Sequence, residues 1–195
     1  MSTTTDAKVS RISPARQRLL DAATDLFYRE GIHSVGVDRI IEAAGVTRAT
    51  MYKQFGGKED LVVEYLRGED AQLRALFAAA SALSDDPAVL LDLTIDGIAA
   101  DIRDRHTRGC PFINAAAEYA DDGAVRDVIG GHRAWFRSTL EQLAEAAGLT
   151  EPDEVAASLV LLRDAALVGG YLDGQDRVGP AFARTALELI AAHKG

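Results

Sequence analysis

The stretch Val37 to Phe55, VDRIIEAAGVTRATMYKQF, limits what this chain can fold into more than any other. Val37, Ile40, Ile41 and Ala44 recur at helical spacing and give a short helix one apolar face. Gly45 follows at once, where a helix commonly ends in a left-handed residue that glycine adopts without strain. Val46 is placed to fill the angle of the turn. Thr47 offers its hydroxyl as N-cap for a second helix, Arg48 to Phe55. There Met51 and Phe55 are four apart and face inward, which leaves Arg48, Ala49, Tyr52 and Lys53 facing out.

The helix, the AAGV turn, TRATMYKQF and the GGKEDL that follows resemble the DNA-binding signature of TetR-family transcriptional regulators. The resemblance runs roughly from Ser13 to Leu66, and several residue types match in order. It implies an all-α protein of about nine helices. Residues 13–57 would form a three-helix helix-turn-helix DNA-binding domain, after a disordered arm at 1–12. Residues 58–195 would form a helical ligand-binding and dimerisation domain. A homodimer on a pseudo-palindromic operator in double-stranded DNA, released by a small-molecule effector, is the usual arrangement of such regulators; activation is the variant. One departure is Gly36, where the family more often has Ser or Thr. Glycine caps a helix but has no side chain to bond a phosphate, so one usual backbone contact is in doubt.

The residues carry a physical case of their own. A recognition helix enters the major groove with its N-terminal residues against base edges. Arg48 has the planar fork that pairs with guanine O6 and N7. Thr47 and Thr50 can bond phosphate or base, and their methyls or that of Ala49 can touch thymine. Tyr52, Lys53 and Lys58 can reach phosphates, which fix register without reading sequence. The competing reading is a solvated polar face. Against it, Arg48 and Lys58 both sit in the first turn of a helix, where the macrodipole disfavours cations; such a local rule-break suggests function.

Composition narrows the classes. The 195 residues are 48% hydrophobic, which suffices for a core, and rich in helix formers. The net charge of -9 excludes coating nucleic acid by bulk charge. It is uneven, however: residues 1–67 sum to +1 and residues 68–195 to -10. A near-neutral head can still bind DNA if its cations cluster. The single cysteine, Cys110, permits no intramolecular disulfide, and no Cys-based metal site is expected. No signal peptide and no membrane span are expected, so the expected location is the cytoplasm. His33, His106, His132 and His193 are scattered, and no nucleophile–base set or phosphate loop appears, so no enzyme and no cofactor is expected.

Along the chain, Lys8 and Arg11 belong either to a loose arm on the DNA backbone or to a solvated tail. Ser13-Pro14 reads as N-cap and N1 of a helix to Glu30, ended by Gly31. Lys58 opens a long helix, expected to join head to body, that Gly68 could kink. A helix from about Ala88 to His106 follows Asp85-Asp86-Pro87, and GCPFINAAAEYA starts another at Pro111, ended by Asp121-Asp122-Gly123. Cys110, Phe112, Asn114 and Tyr119, with Trp135 and Phe136 on the next helix, are candidate pocket residues; plain core packing is the alternative. Cys110 at a helix start also leaves open a redox-responsive regulator. Gly130-Gly131 is expected to interrupt the helix from Ala124 to Ala147. The last two helices are expected at about Asp153–Leu172 and Pro180–His193. On the first of them Val155, Leu159, Leu162, Ala166 and Gly169 make one stripe and Leu161, Ala165, Val168 and Leu172 another; one side can face the chain's own core and the other suits a second subunit. Leu159, Leu162, Ala166 and Gly169, with Phe182, Ala186 and Leu189, are the expected dimer interface, as a four-helix contact. A dimeric helical small-molecule-binding protein without DNA contact is the remaining alternative.

Overall fold

The computed structural model describes residues 13–119 and 123–195. The expected N-terminal arm and the Asp121-Asp122 turn lie outside the described residues. Among these, nine α-helices and no strand are found. They are α1 (Pro14–Glu30), α2 (Val37–Ala44), α3 (Arg48–Gln54), α4 (Lys58–Ser81), α5 (Pro87–Asp104), α6 (Pro111–Glu118), α7 (Ala124–Ala146), α8 (Pro152–Asp173) and α9 (Gln175–Ala192). The chain divides into two compact units, the first ending at Val62 and the second Val63–Gly195, with the division inside α4.

In the first unit, α1 packs against α2 and α3. Ser13 caps α1 by accepting from the Arg16 N–H at 3.4 Å, with Pro14 at N1. The core joins Leu19, Ala23 and Phe27 of α1 to Ile40, Ala44, Met51 and Phe55. Gly45 adopts φ 60°, ψ 43°, and its N–H closes the end of α2 on Ile41 and Glu42. Gly36 caps α2 without a side-chain bond.

The second unit is a bundle in which α8 packs on α7 and α9, and α5 on α7, α8 and α9. Glycines set two of the close approaches. A Cβ on Gly179 of α9 would stand 3.4 Å from the Ala99 carbonyl of α5, and one on Gly170 of α8 would stand 3.4 Å from Ile102. α8 is long and apolar enough to cross a membrane by length and composition, with mean hydropathy 1.5. Its contacts on both sides account for that composition, since Val155, Ala156, Leu159 and Leu167 are core.

Two expectations need correction. Gly130-Gly131 does not interrupt its helix, because α7 runs through it; α4 likewise runs on through Gly68. A helical glycine costs only about 1 kcal/mol relative to alanine, which packing of the flanking turns offsets. α9 begins at Gln175, and Pro180 lies inside it. Proline deletes one helical hydrogen bond there, but Gly174 at φ 96° makes the turn that starts the helix earlier.

Candidate nucleic-acid interface and body cavity

The first unit presents α3 by anchoring its inner side. Met51 and Phe55 are fully buried or nearly so. The Arg16 guanidinium lies 4.6 Å over the Phe55 ring, and Arg18 Nε donates to the Ala44 carbonyl at 3.1 Å. An arginine on α1 thus braces each of the two short helices. Arg39 of α2 also pairs with Glu30 at the end of α1. With the inner side fixed, Arg48, Ala49, Tyr52 and Lys53 are all exposed, on two successive turns.

Thr47 caps α3 by accepting from the Thr50 N–H at 3.1 Å, and the two threonine hydroxyls lie 2.9 Å apart. Those hydroxyls are engaged with each other, while Thr50 is half-buried. Arg48 forms an ion pair with Asp38 of α2, both side chains well exposed. Asp38 therefore supplies the compensating charge at the α3 N-terminus. An exposed pair of this kind is worth only about 0–1 kcal/mol, so a guanine edge can compete for the arginine. Lys58 is half-buried at the start of α4, where Asp60 accepts the Gly56 N–H at 2.8 Å.

The second unit contains a cavity of about 340 Å³. Leu73 and Phe77 of α4, Leu93 and Ile98 of α5, and Phe136 of α7 make much of its wall. Asp101, Asp104, Arg105 and Arg163 also line it. Of the six pocket residues expected from the sequence, only Phe136 is in that wall. Phe112 stacks instead on His132, with ring centroids 3.7 Å apart. Trp135 sits edge-on to Phe77 at 5.8 Å, with Arg74 4.3 Å over its ring. Asn114 donates to the Arg108 carbonyl at 3.2 Å, which holds the loop before α6. Tyr119 is the half-buried C-cap of α6. Cys110 is 1% exposed, with Arg163 Nη1 3.9 Å from its sulfur. Cys110 is thus a small buried residue at the start of α6.

The polar groups beside the cavity were not singled out by the sequence. His106 Nδ1 donates to Asp101 at 2.7 Å, and its Nε2 lies 3.3 Å from Glu69. Burial favours the neutral ring, but the bonds to Asp101 and Glu69 outweigh it and hold the His106 pKa above its ordinary value. His132 Nδ1 donates to Asp70 at 2.8 Å, yet burial dominates there and holds its pKa below the ordinary value. Arg163 is 3% exposed in the middle of apolar α8, a signal that was legible in the run SLVLLRDAALV.

The expected dimer residues divide. Leu159, Ala166, Phe182 and Ala186 are buried within the chain's own core, and Leu162, Gly169 and Leu189 are half-buried. The exposed apolar ridge is formed by Leu161, Val168, Tyr171 and Leu172 of α8 with Leu187 of α9. The two stripes read on α8 separate: the one through Leu159 and Ala166 faces the chain's own core, and the one through Leu161, Val168 and Leu172 is exposed.

Residues 19–65 match the family described as bacterial regulatory proteins, tetR family. An uncharacterized HTH-type transcriptional regulator of Mycobacterium tuberculosis is 30% identical over 131 residues, which span 67% of this chain and 65% of that protein. The regulator AcrR of Shigella flexneri is 28% identical over 169 residues, covering 82% of this chain and 75% of its own. The crystal structure of SCO4454, a TetR-family transcriptional regulator from Streptomyces coelicolor, superposes with a TM-score of 0.89 at 38% identity, covering 93% of this chain and 97% of that one. Likeness at this identity over nearly the whole of both chains, with the helix-turn-helix geometry above, decides the assignment: the chain belongs to the TetR family of transcriptional regulators, DNA-binding proteins that are not enzymes.

Proposed function

We propose that the protein is a ligand-responsive repressor. It binds a pseudo-palindromic operator as a homodimer, one α3 in each of two successive major grooves, and leaves when a small molecule occupies the body. The observation that carries the reading is the outward face of α3, where Arg48, Ala49, Tyr52 and Lys53 stand clear of a buried Met51 and Phe55. Arg48 reads a base edge; Thr47, Thr50, Tyr52, Lys53 and Lys58 hold phosphates, and Ala49 accommodates a thymine methyl. The ridge of Leu161, Val168, Tyr171, Leu172 and Leu187 supports a second copy as partner, because a surface of that apolarity needs cover. The cavity in the second unit supports an effector, which changes operator affinity only if it prefers one of two states. Such a repressor works where the chromosome is, in the cytoplasm.

Selection of bound fragments from the source genome tests the reading. The expected product is an inverted repeat whose affinity falls steeply with salt, since each phosphate contact releases counterions. Recovery of no enriched sequence at low ionic strength would overturn it.

A further inference from the structure

The charges around the cavity do not balance evenly. At one end Asp101 and Glu69 face Arg105 and His106: Arg105 reaches Glu69 at 2.9 Å and Asp101 at 4.0 Å, and His106 bridges both carboxylates. Two carboxylates meet Arg105 there, and His106 as well when its ring is protonated. Asp104 is taken by Arg103, at 2.6 Å and 2.8 Å. At the other end a single carboxylate serves two guanidiniums. Asp164 lies 2.8 Å from Arg133 and 3.5 Å from Arg163. Arg163 Nη2 is buried with no hydrogen-bond partner among the described residues. The surplus positive charge and the open donor therefore coincide on one residue of the cavity wall. The rest of that wall is chiefly apolar, and the volume of about 340 Å³ is at the small end for ligand pockets.

We propose that the cavity binds a small amphipathic carboxylate, which accepts from Arg163 Nη2 and lays an apolar chain or ring among Leu73, Phe77, Leu93 and Ile98. This rests on the reading of the body as the effector-binding part of a regulator. A guanidinium that gains a carboxylate in a dry site forms a charge-assisted bond, stronger than any it could make to an alcohol. Asp101 Oδ1 is also buried without a hydrogen-bond partner among the described residues, but Arg105 and His106 stand beside that carboxylate, which makes it the weaker anchor for a cation. A neutral ligand would leave Arg163 with only the shared Asp164 carboxylate and the face of the Phe136 ring, 4.9 Å away, for its charge.

Trp135 is the single tryptophan and touches Phe77 and Phe136 of the wall, so its fluorescence reports occupancy. The full-length protein is titrated with hexanoate, octanoate, decanoate and 4-phenylbutyrate, and with the matched alcohols and amines. Saturable binding of at least one carboxylate, at least tenfold tighter than its alcohol and amine, is expected. Arg163→Met should bring that carboxylate down to its alcohol's affinity. Gly97→Leu guards against a variant that does not fold: a Cβ at Gly97, which lines the cavity, meets nothing within 4 Å, and leucine suits a helix better. It should remain folded by circular dichroism and lose carboxylate binding at least tenfold. The proposal is overturned if no carboxylate binds, if an alcohol or amine binds as well, or if folded Arg163→Met or Gly97→Leu protein binds octanoate as the parent does. Operator binding is measured separately without ligand. Carboxylate binding without operator binding would refute the regulatory reading alone; operator binding without carboxylate binding would refute this assignment alone.

Discussion

Arg48 is tied to Asp38, and the proposed DNA roles of the two residues should be separable by mutation. Arg48→Ala should relax preference at one base position per half-site; an unchanged preference matrix would exclude base reading. Asp38→Ala removes a negative charge from the same surface. Affinity for operator and scrambled duplex alike should rise, while the ratio between them narrows, because the arginine loses its guide. A fall in affinity for both duplexes would contradict this. The two buried histidines should leave opposite marks on stability. The His106 pKa is raised above 6.5, so its contribution is complete below that value and fades as pH rises through the folded value. The His132 pKa is lowered, so its contribution is complete above 6.5 and fades as pH falls through the folded value. Thermal midpoints should therefore peak near pH 6.5. His106→Gln should flatten the alkaline limb and His132→Phe the acid limb; an unaltered profile in either variant would refute the assignment.

At the scale of the element, α3 depends on residues that are buried beneath its exposed face. Met51→Ala should destabilise the first unit by about 2–5 kcal/mol, as burial of a large side chain implies. Operator affinity should fall although every outward residue is kept, and melting of the isolated transition by chemical denaturation measures the loss. What was legible in the sequence follows the same line. Caps and local periodicity lie within a few residues, so Ser13-Pro14, Gly45 and Thr47 marked their helix ends correctly. Gly130-Gly131 in α7 and Pro180 in α9 misled because local preference yields to packing by distant segments. The cavity was hardest of all. Its charged pair of ends comes from α4 and α5 on one side and α7 and α8 on the other, and no spacing within one segment announces such a meeting. Aromatic residues drew attention at Phe112 and Trp135, yet stacking on His132 and Phe77 uses them as packing.

At the scale of the whole molecule, the apolar ridge on α8 and α9 sets the expected assembly. A Leu161→Asp, Leu172→Asp double variant changes only strongly exposed positions, so folding should survive. Sedimentation should show protomers in place of dimers, and operator affinity should drop at least tenfold. A variant that stays dimeric would move the interface elsewhere. The same helix also carries Arg163 and Asp164 at its midpoint. As the nascent chain leaves the ribosome, α8 is the segment that an insertion channel would test for entry into lipid. Its eight leucines and valines favour that partition by about 2–5 kcal/mol, while two ionised groups at the centre oppose it by about 5–7 kcal/mol. On that balance, the central Arg163-Asp164 pair would disfavour entry of the most apolar helix into a bilayer while it is still uncovered.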